Sequence, residues 1–104
     1  MLPTKQPIIC ADGFTMSVQA SEYHYSTPRR TDAESYTEVE VGYPSPYEPL
    51  LLHLAEDRDM PEKTVYPYVP AQLVALVIAK HGGLVSGELP PGVAPLVAVG
   101  TCRS

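Results

Sequence analysis

Residues 7–21, PIICADGFTMSVQAS, carry the clearest structural signal in this chain. Asp12-Gly13 is typical of a two-residue type I′ turn, in which both residues take a positive φ. After the turn every second residue is apolar: Phe14, Met16, Val18 and Ala20. That period of two places one side of a strand in a core and the other toward solvent or a partner. The stretch therefore predicts a β-hairpin.

Two later stretches predict further strands. Residues 36–43, YTEVEVGY, alternate with an inward set of Thr37, Val39, Val41 and Tyr43. Glu38 and Glu40 then give this strand an acidic outer face. Residues 64–69, TVYPYV, are β-branched and aromatic. Pro67 lies inside this second stretch and has no N–H to donate, which confines the strand to a sheet edge or a bulge.

A helix is predicted over residues 70–81, PAQLVALVIAKH. Pro70 suits the first helical position, and Gly82 or Gly83 supplies the left-handed residue that ends the helix. One stripe of the helix is apolar and is expected to face the sheet: Leu73, Val74, Val77 and Ile78. Residues 50–55, LLLHLA, fit either a short strand or a single helical turn.

These elements predict the α+β class, with a small, mainly antiparallel sheet of four to five strands and one packed helix in the C-terminal half. The chain has 104 residues, which suits a single domain. We place this domain at residues 1–83. Residues 84–104 are rich in proline and glycine and form a tail, which is either loose or adds an edge strand at residues 96–101.

Charge and apolar patterning exclude several classes of partner. Seven Lys and Arg residues stand against twelve Asp and Glu residues, and only Arg29-Arg30 are adjacent cations. Duplex nucleic acid needs a basic stripe, so we predict no such binding. The apolar run at residues 73–79 is too short to cross a bilayer, and the N-terminus lacks signal-peptide features. We therefore expect a cytoplasmic protein without a membrane partner, with Cys10 and Cys102 as free thiols rather than a disulfide between the ends.

No motif for catalysis or metal binding stands out. The sequence contains no Walker loop, GxGxxG, HExxH or CxxC. His24, His53 and His81 are widely spaced, so we predict no metal and no cofactor, and interpret His81 as a charge complement at the helix end. Ser21 or Ser26 could pair with His24, but neither an orienting acid nor an oxyanion hole can be identified for such a nucleophile.

Residues 19–30, QASEYHYSTPRR, are the candidate binding loop. Arginine matches carboxylate or phosphate groups, and tyrosine and arginine are enriched at interface hot spots. The candidate partner-binding residues are Gln19, Ser21, Tyr23, His24, Tyr25, Arg29 and Arg30. In the alternative interpretation a loop tyrosine closes the core, and the arginines pair with nearby acids: Asp32, Glu34, Glu38 or Glu40.

Several blocks of residues 8–83 resemble a group of small proteins of tailed bacteriophages. The shared pattern is an ADGFxMSVQAS hairpin, a YxxPR loop, a VEVG strand and a YVP helix that ends in HGG. The resemblance implies a phage origin and the cytoplasm of the infected host cell, and it implies no mechanism. Where the group has a cysteine in the loop, this chain has Ser26 or Thr27, which argues against a thiol nucleophile.

Three hypotheses for function follow. The first is a non-catalytic binding protein that interacts with or inhibits a host protein or a defence complex. The second is a protein that sequesters a small anionic, nucleotide-like ligand with Arg29, Arg30 and a tyrosine stack, as a homo-oligomer. The third is a small hydrolase that uses Ser26 and His24. We favour the first, with residues 19–30 as its contact surface.

Overall fold

The computed structural model describes residues 4–98 and confirms the α+β class. Its strands are β1 (Ile8–Cys10), β2 (Thr15–Gln19), β3 (Glu38–Ser45), β4 (Val65–Pro70) and β5 (Leu84–Ser86). They form one antiparallel sheet in the order β4-β3-β2-β1-β5. The helix is α1 (Ala71–Lys80), and a short 3₁₀ turn (Leu52–Leu54) lies in the stretch where the sequence left strand and helical turn open.

The hairpin and the helix form where their patterns place them, but the predicted type I′ turn is wrong. Of the pair Asp12-Gly13 only Gly13 has a positive φ, of 95°. The Cys10 N–H donates to the Phe14 carbonyl at 2.8 Å, so the hairpin loop has three residues, 11–13. β1 and β2 pair with Ile8 opposite Met16, and the apolar side of β2 is buried. Pro70 precedes the first residue of α1, and its buried residues are Ala71, Val74, Val77 and Ile78. Leu73 of the predicted stripe is only half-buried. Neither element is stable alone, so the sheet and the helix stabilise each other by burying these apolar faces together.

β-Bulges interrupt the alternation of β3 and β4, and the predicted inward positions of Thr37 and Tyr43 are both wrong. Thr37 precedes β3 and is exposed. Thr15 lies opposite Ser45 but Ser17 lies opposite Gly42, so β3 advances three residues where β2 advances two. Tyr43 takes up the extra residue with a φ of 53° and is exposed. A bulge reverses the facing of the residues beyond it, which sequence alternation does not reveal.

β4 has a second bulge of the same kind at the sheet edge. Val39 pairs with Val69 and Val41 with Tyr66, so β4 advances three residues where β3 advances two. Pro67 lies in this bulge, as the missing N–H predicts. Tyr68 follows it with a φ of 51° and an exposed ring.

Residues 84–98 pack on the rest of the domain. β5 pairs with β1 at the sheet edge, and Val93 is buried in the same core as the helix. The Tyr36 N–H donates to the Pro91 carbonyl at 2.9 Å. Val97 of the predicted 96–101 strand forms a bridge with Leu84. The rest of that predicted strand, residues 99–101, lies outside the described residues. So does Cys102, and with it the question of a disulfide to Cys10. Cys10 itself is a buried free thiol.

An ionic cluster joins the hairpin turn, the proline-rich residues 44–49 (PSPYEP) and the end of α1. The His81 imidazole lies between two carboxylates, with Nδ1 2.6 Å from Asp12 Oδ2 and Nε2 2.6 Å from Glu48 Oε1. Lys80 Nζ donates to the other Glu48 oxygen at 2.8 Å. The Phe14 ring stacks on the imidazole at 4.1 Å between centroids. An ionised carboxylate only accepts hydrogen bonds, so a ring that lies between two of them is best described as an imidazolium that donates from both nitrogens. We call Asp12, Glu48, Lys80 and His81 the His81 cluster.

The surroundings of the His81 cluster favour the charged forms of its carboxylates and its imidazole: the carboxylate pKa values are lowered and the pKa of His81 is raised. Burial opposes ionisation of Glu48, but hydrogen bonds from Lys80, Leu50 and His81 outweigh it and lower the pKa of Glu48. The Phe14 N–H, followed by His81, lowers the pKa of Asp12. Burial opposes the imidazolium, yet hydrogen bonds to both carboxylates raise the pKa of His81. Each partner therefore stabilises the ionised form of the others.

The His81 cluster should make folding stability depend on pH in both directions. Because the pKa of His81 is raised in the folded protein, its stabilisation of the fold is fully present below about pH 6.5, the ordinary pKa of histidine. This stabilisation is lost as the pH rises through the raised pKa. Lowered pKa values make the carboxylate contributions complete above about 4.5, and they are lost as pH falls. We expect the stability difference between the wild type and His81→Gln, measured by urea unfolding, to be largest between these limits. A difference that stays constant from acidic to alkaline pH would contradict this expectation.

Candidate functional site

The first two predicted site residues shape the loop rather than face a partner. Gln19 is buried, and its amide exchanges two hydrogen bonds with the Lys5 backbone, at 2.9 and 2.8 Å. The Ser21 hydroxyl accepts the Tyr23 N–H at 2.9 Å, and the Ser21 carbonyl accepts the His24 N–H at 3.2 Å. This local turn is the usual use of a serine in a loop. It turns Tyr23 outward.

Ser26 and His24 do not form the pair that the hydrolase hypothesis requires. Ser26 is 1% exposed, and its hydroxyl donates to the Ser21 and Pro28 carbonyls at 3.2 and 3.0 Å. His24 Nδ1 instead lies 2.7 Å from the Ser21 hydroxyl. Within residues 4–98 no carboxylate hydrogen-bonds to His24, so the Ser21–His24 pair has no orienting acid.

The middle of the loop crosses β3 and is fixed on both sides. The Tyr25 N–H donates to Glu40 Oε1 at 3.0 Å, and the Tyr25 carbonyl accepts the Tyr68 N–H at 3.1 Å. The bulge in β4 frees this Tyr68 N–H from the strand ladder. Thr27 then pairs with Glu38 through its backbone and through a 2.7 Å side-chain bond. The acidic outer face of β3 therefore holds the loop in place.

Aromatic and cationic groups project outward from this frame. Tyr23, Tyr25 and Tyr68 are 67%, 39% and 41% exposed. The Tyr25 and Tyr68 rings lie 5.8 Å apart between centroids, and the Arg29 guanidinium carbon lies 5.2 Å from the Tyr25 centroid, within cation–π range. Tyr23 and Arg30 are exposed on the same loop. We call the exposed residues Tyr23, Tyr25, Arg29, Arg30 and Tyr68 the Tyr–Arg surface.

The alternative interpretation of the loop, that a tyrosine closes the core and the arginines pair with nearby acids, is wrong in both parts. The loop tyrosines are exposed, and the buried tyrosine rings of the core are those of Tyr36 and Tyr66. Arg29 and Arg30 form no ion pair within residues 4–98. Glu38 and Glu40 accept hydrogen bonds from the loop instead. Both guanidinium groups therefore remain available.

A cleft of about 500 Å³ opens beside the loop. His24 and Ser21 form part of its wall, next to Lys5 and the start of the segment that leads to β3. The remaining lining residues are Gln19, Ala20, Thr31, Asp32, Ala33, Tyr36 and Pro91. Gln19, Ser21 and His24 were predicted to bind a partner, but they line this cleft and are not part of the Tyr–Arg surface.

Tyr68 is the surface residue that sequence reasoning missed. It is distant in sequence from the loop and reaches it only because the β4 bulge turns it outward. The internal Pro67 was the one available signal. In residues 4–98 no group of three His, Cys, Asp or Glu side chains is placed to hold a metal ion. The same residues contain no helix with the length and apolar character needed to cross a membrane.

Fold and site together define a small α+β protein that presents an exposed aromatic and cationic surface beside a cleft. Comparison with protein-family models, with curated proteins and with solved structures found no match to this chain.

Proposed function

We propose that the protein is a non-catalytic binding protein that inhibits a protein partner through the Tyr–Arg surface. The phage resemblance makes this partner a host protein or a defence complex in the cytoplasm of the infected cell. The observation that carries the proposal is the double fixation of Tyr25, between Glu40 and Tyr68. A loop held in this way presents its side chains in one arrangement before any partner arrives.

Preorganisation is what makes such a surface suited to tight binding. Ordering a loop and its side chains opposes association, and a loop ordered in advance reduces that cost. Tyrosine and arginine supply large contact areas and are the commonest hot-spot residues. The surface therefore combines suitable side chains with a rigid support.

The charges of the surface indicate the character of the partner. The chain has a formal charge of −5, yet Arg29 and Arg30 form no ion pair within residues 4–98. Two unpaired guanidinium groups on an acidic protein favour a carboxylate-bearing contact on the partner. Without a basic stripe, a duplex nucleic acid is a poor fit.

The test is affinity capture from host lysate, followed by titration of the captured protein. We expect Tyr25→Ala and the double variant Arg29→Ala/Arg30→Ala each to weaken binding at least about tenfold, which corresponds to about 1.4 kcal/mol. Tyr47→Ala is the matched control, because Tyr47 is 47% exposed and lies outside the surface. Its affinity should equal that of the wild type.

Other outcomes would separate the remaining hypotheses. A captured protein whose affinity is unchanged in both variants would move the interface elsewhere on the molecule. If no protein is captured but a nucleotide raises the melting temperature, and the arginine variant abolishes that rise, the sequestering hypothesis replaces this one. Turnover of an ester substrate lost in His24→Ala would reinstate an enzyme.

A further inference from the structure

We propose that the cleft beside the loop binds a small zwitterion of amino-acid type, with its carboxylate toward Lys5 and His24 and its ammonium toward Asp32. This site is separate from the Tyr–Arg surface and does not depend on the proposed function. At about 500 Å³, the cleft lies within the range of small-molecule sites.

Two residues of opposite charge line the cleft and form no ion pair with each other. Lys5 and Asp32 both contribute to the wall, yet no ion pair within residues 4–98 joins them to each other or to another charged group. The backbone of Lys5 is held by the Gln19 side chain. Asp32 adopts a φ of 60°, a conformation that Asp and Asn tolerate better than other residues. A molecule that carries both charges complements this pair.

His24 also lines the cleft and offers a second donor. The Ser21 oxygen already accepts the Tyr23 N–H, and His24 Nδ1 lies 2.7 Å from the same oxygen. In the tautomer in which Nδ1 accepts the Ser21 proton, the ring proton is on Nε2. Nε2–H then remains as a donor toward a carboxylate.

The rest of the wall suits an apolar side chain. The Tyr36 hydroxyl is already engaged, since it donates to the Arg30 carbonyl at 2.6 Å and accepts the Ala33 N–H at 3.2 Å. Its ring therefore contributes apolar surface, together with Ala20 and Ala33. A phosphate group fits less well, because Asp32 would repel it and neither loop arginine lines the cleft.

The test is a titration of the labelled protein by two-dimensional ¹H–¹⁵N NMR with L-leucine. Two analogues each remove one charge: 4-methylpentanoate lacks the ammonium group, and 3-methylbutylamine lacks the carboxylate. We expect L-leucine at millimolar concentration to shift amides of residues 19–24 and 31–36, and each analogue to bind at least about tenfold more weakly. Inorganic phosphate should shift none of these amides.

Charge-neutral variants locate the two ends of the ligand. Lys5→Gln should reduce the advantage of L-leucine over 3-methylbutylamine, because His24 still donates to the carboxylate. Asp32→Asn should abolish the advantage of L-leucine over 4-methylpentanoate. Lys63→Gln, on an exposed residue outside the cleft, is the control and should bind like the wild type, as should Tyr25→Ala. Three results would each overturn the proposal. The first is equal binding of L-leucine and its two analogues, and the second is stronger binding of phosphate than of L-leucine. The third is the absence of amide shifts with L-leucine and also with L-alanine and L-phenylalanine, which test smaller and larger side chains.

Discussion

Replacing Glu48 with alanine should lower the free energy of unfolding by about 3–5 kcal/mol, the cost of breaking a buried ion pair from one side. Glu48 is fully buried and accepts hydrogen bonds from Lys80, His81 and the Leu50 N–H. Without the carboxylate, the His81 imidazolium loses one of its two anionic partners. The cavity left by the side chain adds to the loss.

Two further variants make the Glu48 prediction specific. Glu48→Gln keeps the shape but not the charge, and should lose less stability than Glu48→Ala because an amide oxygen still accepts a hydrogen bond. Glu34→Ala is the control, since Glu34 is exposed, and it should stay within about 0.5 kcal/mol of the wild type. Urea unfolding followed by circular dichroism measures all three. A loss below about 1 kcal/mol for Glu48→Ala would show that the cluster does not hold the fold together.

Gly92→Ala should cost about 3 kcal/mol and should release the C-terminal segment from the domain. Gly92 has a φ of 105°, and a Cβ there would lie 2.3 Å from the Tyr36 carbonyl oxygen and 2.7 Å from its nitrogen. These contacts are with backbone, so the segment around Gly92 must shift. The hydrogen bond from the Tyr36 N–H to Pro91 is then lost.

The loss of stability expected for Gly92→Ala has two causes, the positive φ and the close approach to the Tyr36 backbone. Gly13→Ala separates them. Gly13 has a similar φ of 95°, but a Cβ there would meet nothing within 4 Å. It should therefore show only the conformational cost, about 1–2 kcal/mol. Hydrogen exchange of the Tyr36 amide is the specific readout, because it should accelerate in Gly92→Ala and stay slow in Gly13→Ala. Equal exchange in both variants would mean that the close approach at Gly92 contributes nothing.

The surface was only partly predictable from the sequence. Residue type and position marked Tyr23, Tyr25, Arg29 and Arg30, and all four are exposed as expected of a contact loop. Gln19, Ser21 and His24 were grouped with them because they are near in sequence. Their hydrogen bonds and the cleft that they face depend on the Lys5 segment and on residues 31–36, which no local pattern links to the loop.

By itself the sequence determined the elements whose signals are local. Alternating apolar residues around Asp12-Gly13 specify the hairpin, and the apolar stripe after Pro70 specifies the helix. A period of two or of 3.6 residues is a property of neighbouring positions, so it can be read without a partner.

Features that depend on residues distant in the chain became visible only in the folded protein. The tertiary structure set the bulges that expose Tyr43 and Tyr68, and it placed His81 between Asp12 and Glu48, 69 and 33 residues away. A bulge is defined by the register of two strands, and an ion pair by the meeting of two side chains. Neither leaves a periodic signal in one segment, which is why a histidine interpreted as a helix-end charge joins three parts of the fold.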